Sequence, residues 1–276
     1  MDDLRGATAI VTGASRGIGP YISEVLGAQG VRLALFARSA EDLNAVAVRL
    51  GERGIEATPV PVDLTDDEAV LAALAVAKQT LGHIDILVNN AGLDALGAFH
   101  TLSPARIDEV LHLNLRIPMH LTRLVLGDMV ARHRGHIVNV SSAAGTFGLP
   151  YQVVYAATKA ALIAFTQSVR WEYRGAGVSA SAVLPTLVVG TGMYERERAL
   201  APAGEGAPWV LTTTPERVAH AVVRAIERDL PEVVVNRVPL RPVLAALTLV
   251  PGSGGWLLRA LGVTDLFRRA AARHSE

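Results

Sequence analysis

Ala7-Thr8-Ala9-Ile10-Val11-Thr12-Gly13-Ala14-Ser15-Arg16-Gly17-Ile18-Gly19-Pro20 is the stretch that decides the fold. Ala7 to Thr12 is a short apolar run suited to a buried strand. Glycines follow as Gly-x-x-x-Gly-x-Gly, and a helix pattern starts with Pro20 in its first turn, where the missing N–H costs nothing. A strand, a Gly-rich turn and a helix N-terminus together form a seat for a diphosphate. The glycines let the backbone approach the anion, and free N–H groups point at it. An ordinary βα turn is the plainer reading of such a stretch, and its position after the first strand argues against that.

Outward from this turn the chain alternates strand and helix patterns. Val31 to Ala37 reads as the second strand and ends in Phe36-Ala37-Arg38-Ser39. In dinucleotide-binding folds an acid at this strand end meets a ribose 2′-hydroxyl. Here Ala37 takes that place and Arg38 follows, while Ser39 reads as an N-cap with Glu41 and Asp42 in the first helical turn. Arg38 and Arg16 together make a clamp for a 2′-phosphate, which favours NADP(H) and leaves NAD(H) open. The alternative is that both arginines are ordinary surface charges. Glu56 to Val62 reads as a third strand, closed by Asp63 and Leu64. Asp63 suits an adenine amino group and Leu64 its ring, or Asp63 caps the following helix.

Ile84 to Val88 is the fourth strand and runs into Asn89-Asn90-Ala91-Gly92. Two amides after a buried strand are costly unless hydrogen-bonded, so they are expected to tie strand ends together beside a ligand. Ser103-Pro104 opens a long helix towards Arg134 with Pro118 inside it. Pro118 has no N–H to offer the Asn114 carbonyl, leaving that oxygen able to hold a water. His136 to Val140 is the fifth strand and delivers Ser141 and Ser142. Val178 to Leu184 is the sixth, and Glu232 to Asn236 the seventh. Between the last two, Pro185 to Thr214 reads as a long loop, of a length that is usually functional or disordered.

The helix after the fifth strand carries Tyr155 and Lys159, four apart and so one turn apart on one face. A free phenol titrates near ~10 and is a poor base at neutrality. A cation one turn away favours the phenolate and makes the phenol a usable proton donor or acceptor. The chain has two lysines against twenty-four arginines, so a Lys at this spacing from a Tyr is not a common accident. A solvated Tyr and Lys on a helix surface is the bland alternative.

Composition narrows the class further. At 276 residues with 50% apolar content, the chain fits one large α/β domain or two small ones, and a sizeable core is possible. Its formal net charge is zero, so nothing in the balance suggests nucleic acid. It has no cysteine, which excludes disulfides, thiol nucleophiles and thiolate metal sites. The eight histidines show no metal-ligand spacing. The start Met1-Asp2-Asp3-Leu4-Arg5 leaves little room for a signal peptide, and no apolar run approaches the ~20 residues of a membrane span. A cytoplasmic protein is the expectation.

Taken together, these residues resemble the short-chain dehydrogenase/reductase family over about residues 6–236. The resemblance rests on Thr12-Gly13-x-x-x-Gly17-x-Gly19, Asp63, Asn89-Asn90-Ala91-Gly92, Asn114, Ser142 and Tyr155-x-x-x-Lys159 in the family's order. It implies a single Rossmann-like, doubly wound parallel sheet of about seven strands, and a homodimer or homotetramer. It implies a catalytic tetrad of Asn114, Ser142, Tyr155 and Lys159, with Ser142 chosen over Ser141 by its spacing to Tyr155. In that family hydride moves between nicotinamide and a carbonyl or alcohol carbon. Tyr155 would then handle the proton, Lys159 would hold the ribose hydroxyls, and a water on the Asn114 carbonyl would begin a proton path.

Cofactor contacts are implied for Gly13, Ser15, Arg16, Gly17, Ile18 and Gly19 in the first turn, and for Arg38, Asp63 and Leu64 at the next strand ends. Asn90, Ala91 and Gly92, with Tyr155 and Lys159, complete the wall. One departure stands out. The family has Pro-Gly after the sixth strand, whereas here Pro185 is followed by Thr186, and Thr191 lies at a longer offset. Pro185, the Val189 backbone and Thr191 are therefore the candidates for the nicotinamide carboxamide.

Residues 237–276 extend beyond the usual family length. Apolar Val243 to Val250 and Trp256 to Leu261, a break at Pro251, and several arginines fit one or two amphipathic helices. They would cap an apolar substrate pocket, lie on a membrane surface, or pack on the domain or a neighbouring subunit. The leading expectation is an NADP(H)-dependent carbonyl reductase or alcohol dehydrogenase acting on an apolar small molecule. A 3-oxoacyl thioester reductase is a second reading. A non-catalytic NADP(H) sensor is a third, disfavoured because both Tyr155 and Lys159 are present.

Overall fold

The structure is a computed structural model that describes residues 1, 3–199, 207–250 and 252–274. Strands β1 (Thr8–Thr12), β2 (Arg32–Ala37), β3 (Ala57–Pro61), β4 (Ile86–Asn89), β5 (Gly135–Val140), β6 (Val178–Pro185) and β9 (Glu232–Val235) form one sheet in the order β3-β2-β1-β4-β5-β6-β9. Every pairing in it is parallel. This is the expected seven-stranded Rossmann-like sheet. The chain winds outward from β1 to β3, then returns to place β4 on the other side of β1. Strand order reverses there, and loops at the carboxyl ends diverge to leave a crevice.

Helices cover both faces, which is why the strands are apolar at nearly every position rather than at alternate ones. On one face Val11, Leu33, Leu35 and Val138 pack with Ile22 and Leu26 of α1 (Gly19–Ala28), Leu43 of α2 (Ala40–Gly51), and Val222 of α8 (Pro215–Glu227). On the other, Ile10, Phe36, Leu87 and Ile137 meet Val70 of α3 (Asp67–Leu81), Leu121 of a later helix, and Val169 of α6 (Val153–Glu172). Neighbours Ile10 and Val11 face opposite cores, as the two-residue period of a strand requires.

The caps follow the sequence in two cases. Ser39 accepts from the Asp42 N–H and Ser103 from the Arg106 N–H. Asp63 does not cap α3. Asp66 does, accepting from the amides of Glu68 and Ala69, while Asp63 is turned back onto Thr65.

The long helix expected from Ser103 towards Arg134 is built from three parts. α4 (Pro104–Leu111) and α5 (Ile117–Ala131) are joined by a π-helical turn, His112–Arg116. The Ile117 N–H donates to the His112 carbonyl five residues back, and Pro118 follows with no N–H to give. The helix widens around Asn114 at the place where proline removes a rung.

Pro185 to Thr214 is not a featureless loop. Leu187–Val188 (β7) and Thr212–Thr213 (β8) form a small parallel ladder, and Gly192–Ala199 is a helix, α7. The middle of the segment, 200–206, lies outside the described residues, as does Pro251 of the tail. The tail folds as three helices rather than one or two: α9 (Arg241–Leu249), α10 (Ser253–Ala260) and α11 (Val263–His274). Leu258, Val263, Phe267, Ala270 and Ala271 are buried against Leu96, Leu149 and Ala156, with Tyr155 and Leu211 at the margin. Among the described residues no helix is long and apolar enough to cross a membrane, and no group of His, Asp or Glu is placed to hold a metal ion.

Candidate active site

The carboxyl ends of β1, β4 and β5 open into one cavity of about 1070 Å³. The first turn enters it through close backbone packing. Gly13 and Gly17 take φ of +65° and +67°, a region that favours glycine. A Cβ on Gly19 would stand 2.0 Å from the Gly13 carbonyl oxygen, and one on Gly13 would stand 2.9 Å from Ala91 Cα. At Gly13 and Gly19 only bare backbone fits, the arrangement a diphosphate seat needs.

Thr12 holds this turn to the fourth strand, a role its place in the motif did not reveal. Its hydroxyl donates to the Val88 carbonyl and accepts from the amides of Asn90 (2.9 Å) and Ala91 (3.0 Å). The Asn90 side chain returns the tie by donating to the Thr12 and Gly13 carbonyls. Asn89 donates to Asn139 Oδ1 at 2.8 Å, and Asn139 in turn donates to Thr166 Oγ1 of α6 at 2.8 Å. The expected pair of amides does bind neighbouring strand ends. Asn139 and Thr166, which sequence reasoning passed over, carry the tie on to the helix that holds Tyr155 and Lys159.

Lys159 is buried in α6 and donates to the Val140 carbonyl at 2.9 Å. Its nitrogen lies 5.6 Å from the centre of the Tyr155 ring. Burial lowers its pKa from the usual lysine value to about 8, so it remains largely a cation at neutrality. Both residues line the cavity, which removes the reading of a solvated pair.

The two serines separate by what their hydroxyls do. Ser141 donates to the Lys159 carbonyl at 2.8 Å and so is spent on seating α6. Ser142 accepts from the Ala144 N–H at 3.1 Å and makes a long 3.4 Å contact to the Pro185 carbonyl. Both serines line the cavity, and the proton of Ser142, held by the longer bond, is the less committed of the two.

Asn114 is fully buried and not on the cavity wall. Its Oδ1 accepts from the Leu93 N–H at 2.7 Å, and its Nδ2 donates to the Leu93 carbonyl at 2.8 Å and to Thr158 Oγ1 at 3.2 Å. The amide pins the 90–95 loop to α6, and the main-chain carbonyl lies in the π-helical turn four residues before Pro118.

At the far end of the cavity, Arg16 and Arg38 both reach the wall and are exposed, and neither is in a salt bridge among the described residues. Asp63 and Leu64 line the same end. Hydrogen bonds from the Thr65 backbone N–H and hydroxyl, with a smaller pull from Arg38, hold the Asp63 carboxyl below the usual carboxylate range. Ser15, Ile18, Ala91 and Gly92 line the wall between the two ends.

After the sixth strand, Pro185 and Thr191 are at the cavity but Val189 is not. The Val189 N–H donates to the Thr213 carbonyl at 3.0 Å in the small ladder, and its side chain packs with Tyr194 and Leu266. Residues that sequence reasoning missed include Gln152, buried with its Oε1 accepting from the Ala95 N–H, and Met193 of α7. No local pattern marks either, because each reaches the wall through a tertiary contact. The inner faces of α9 and α10 complete the apolar half through Val243, Leu244, Leu247, Leu257 and Leu261.

The family model described as short chain dehydrogenase matches residues 7–201. Ketoacyl reductase HetN of Nostoc is 37% identical over 276 residues, spanning 98% of this chain and 94% of that protein. Oxidoreductase UcpA of Salmonella typhimurium is 40% identical over 189 residues, covering 68% of this chain and 72% of its own. A metagenomic short-chain oxidoreductase solved in complex with NADP superposes with a TM-score of 0.72 at 33% identity, over 86% of this chain and 99% of that one. A variant of actinorhodin polyketide ketoreductase with NADPH gives 0.75 at 29% identity, over 86% and 98%. With the crevice, the Tyr155–Lys159 pair and these likenesses in place, the chain belongs to the short-chain dehydrogenase/reductase family of oxidoreductases, which act on CH–OH groups.

Proposed function

We propose that the protein is an NADP(H)-dependent reductase that interconverts a ketone and a secondary alcohol on an apolar substrate. One observation carries this reading: Tyr155 and Lys159 sit in the wall of a single cavity that also takes in Arg16, Arg38 and apolar side chains of α9 and α10. The guanidinium groups of Arg16 and Arg38 suit a 2′-phosphate through charge-assisted hydrogen bonds. Ala37, at the end of β2, offers no carboxylate to a 2′-hydroxyl and no charge to repel a phosphate. The NADP and NADPH in the two related structures support the same choice.

The bound dinucleotide would supply or accept a hydride at its nicotinamide ring. The chain's own residues do the rest. Ser142 and Tyr155 orient the substrate oxygen by hydrogen bonds, and Tyr155 gives it a proton during reduction or takes one during oxidation. The Lys159 cation favours the phenolate of Tyr155 and so eases that transfer. The main-chain carbonyl of Asn114, with Pro118 unable to donate to it, offers a place for a water through which the proton is replaced. Leu244, Leu247 and Leu257 keep bulk water from the apolar end.

A 3-oxoacyl thioester is the specific substrate class favoured by the full-length likeness to a ketoacyl reductase and by the polyketide ketoreductase structure. A simple apolar ketone is the alternative. NADPH oxidation should be followed with a series of 3-oxoacyl thioesters and with apolar ketones lacking the thioester. Rates that rise with acyl length support the thioester reading, and ketones turned over equally well count against it. Tyr155→Phe should lower turnover by about 100-fold or more while leaving NADPH binding intact. Unchanged turnover would remove the acid–base role altogether.

A further inference from the structure

α9 and α10 have two apolar faces. The inner faces line the cavity through Leu244, Leu247 and Leu257, while Leu249 (82% exposed), Val250 (59%) and Trp256 (73%) project outward where the two helices meet. A side chain four-fifths open to water protrudes, and protruding leucine and tryptophan are costly to leave there unless something receives them. Charge along this part of the chain is one-sided. Between Glu232 and Asp265 there is no acidic residue, but there are three arginines, Arg237, Arg241 and Arg259. All three are exposed, and none is in a salt bridge among the described residues. The chain as a whole has a formal net charge of zero, so this local excess is not an average property.

We propose that the α9–α10 knuckle docks on an anionic lipid bilayer, with Leu249, Val250 and Trp256 entering the interface and Arg241 and Arg259 meeting lipid phosphates. Tryptophan suits that depth because its ring is apolar and its N–H is polar. Basic residues flanking an apolar wedge supply the electrostatic attraction. A second copy of the chain fits less well, since a two-fold contact would bring the same unpaired arginines together. Docking in this way puts the helices that wall the apolar half of the cavity against the lipid. The proposal concerns the outer face alone and stands whatever the substrate is.

The test is co-sedimentation of the full-length protein with phosphatidylcholine vesicles, with and without phosphatidylglycerol. Binding should require the anionic lipid and fall with added salt. It should drop about tenfold in the double variant Leu249→Ser/Trp256→Ser and in Arg241→Gln/Arg259→Gln. Trp171→Ser, at another exposed tryptophan (67%), serves as the control and should bind as the parent does. Circular dichroism and NADPH binding verify that each variant is folded. The proposal is overturned if the parent does not sediment with anionic vesicles, or if the control loses binding equally. A dimer that dissociates in Leu249→Ser/Trp256→Ser, with no vesicle binding by the parent, would assign the knuckle to a second copy.

Discussion

The Lys159 ammonium lies 5.6 Å from the centre of the Tyr155 ring and donates to the Val140 carbonyl at the end of β5. The helix supplies the spacing, but the strand supplies the depth. Burial lowers the lysine's pKa to about 8, which places its loss of charge within reach of ordinary assays.

One consequence is an alkaline limb. As pH rises through about 8 the ammonium is lost, the phenol of Tyr155 loses its neighbouring cation, and kcat/KM for ketone reduction should fall. Stability moves the other way. The folded pKa is below the ordinary 10.5, so between about 8 and 10.5 the unfolded chain keeps a proton that the native one has lost. Native stability should gain ~1.4 kcal/mol per pH unit from this group across that window. Urea unfolding of the parent and of Lys159→Met, compared at several pH values, measures the difference; parallel slopes would refute it.

The proposed preference for NADP(H) rests on two guanidinium groups, Arg16 and Arg38. Arg38→Ala should weaken NADPH binding about tenfold or more, the worth of a charge-assisted hydrogen bond, and leave NADH nearly untouched. Fluorescence titration with both nucleotides gives the answer directly. Equal losses for the two would mean that Arg38 does not read the 2′ position.

The first turn tolerates no side chain where it enters α1. Gly19→Ala would drive a methyl group to 2.0 Å from the Gly13 carbonyl oxygen and 2.8 Å from Ala14 Cα. Both neighbours are backbone, so they cannot swing aside. A loss of ~3 kcal/mol in stability is expected, with dinucleotide affinity falling further than stability does. Thermal unfolding and NADPH titration of the variant separate the two effects.

His136 governs part of the acid limb of stability. It is buried in β5 with its Nε2 at 2.8 Å from Ser181 Oγ, and burial lowers its pKa from 6.5 to about 3. Below 6.5 the unfolded chain takes up a proton that the native state refuses. Stability should therefore fall as pH drops from 6.5 towards 3, at ~1.4 kcal/mol per unit from this residue. His136→Asn should flatten that slope above the carboxylate range, even if it lowers stability overall. An unchanged slope in urea titrations would place the acid sensitivity elsewhere.

Much of this protein is written in local pattern. The seven-stranded alternation, the Ser39 and Ser103 caps and the Gly13–Gly19 turn each depend on neighbours a few residues away, and periodicity or steric need makes them legible. The Tyr155–Lys159 pair belongs to the same class, because a helix turn alone sets their spacing. Asn114 shows the limit. Its register with Pro118 is readable, but the amide's partners, Leu93 and Thr158, lie far away in sequence.

Other features belong to the tertiary structure alone. Spacing to Tyr155 singles out Ser142, but what Ser141 does instead, donating to the Lys159 carbonyl, is visible only in the fold. The Val189 N–H is taken by the Thr213 carbonyl, a partner in another segment. The tail's arrangement as three helices walling the cavity could not be read either, since an amphipathic helix specifies that a face is covered but not by what. Sequence determined which chemical groups the chain has and how they repeat. Only the folded chain decided which hydroxyl, amide and apolar face were already occupied, because burial makes every polar group take one partner at the expense of another.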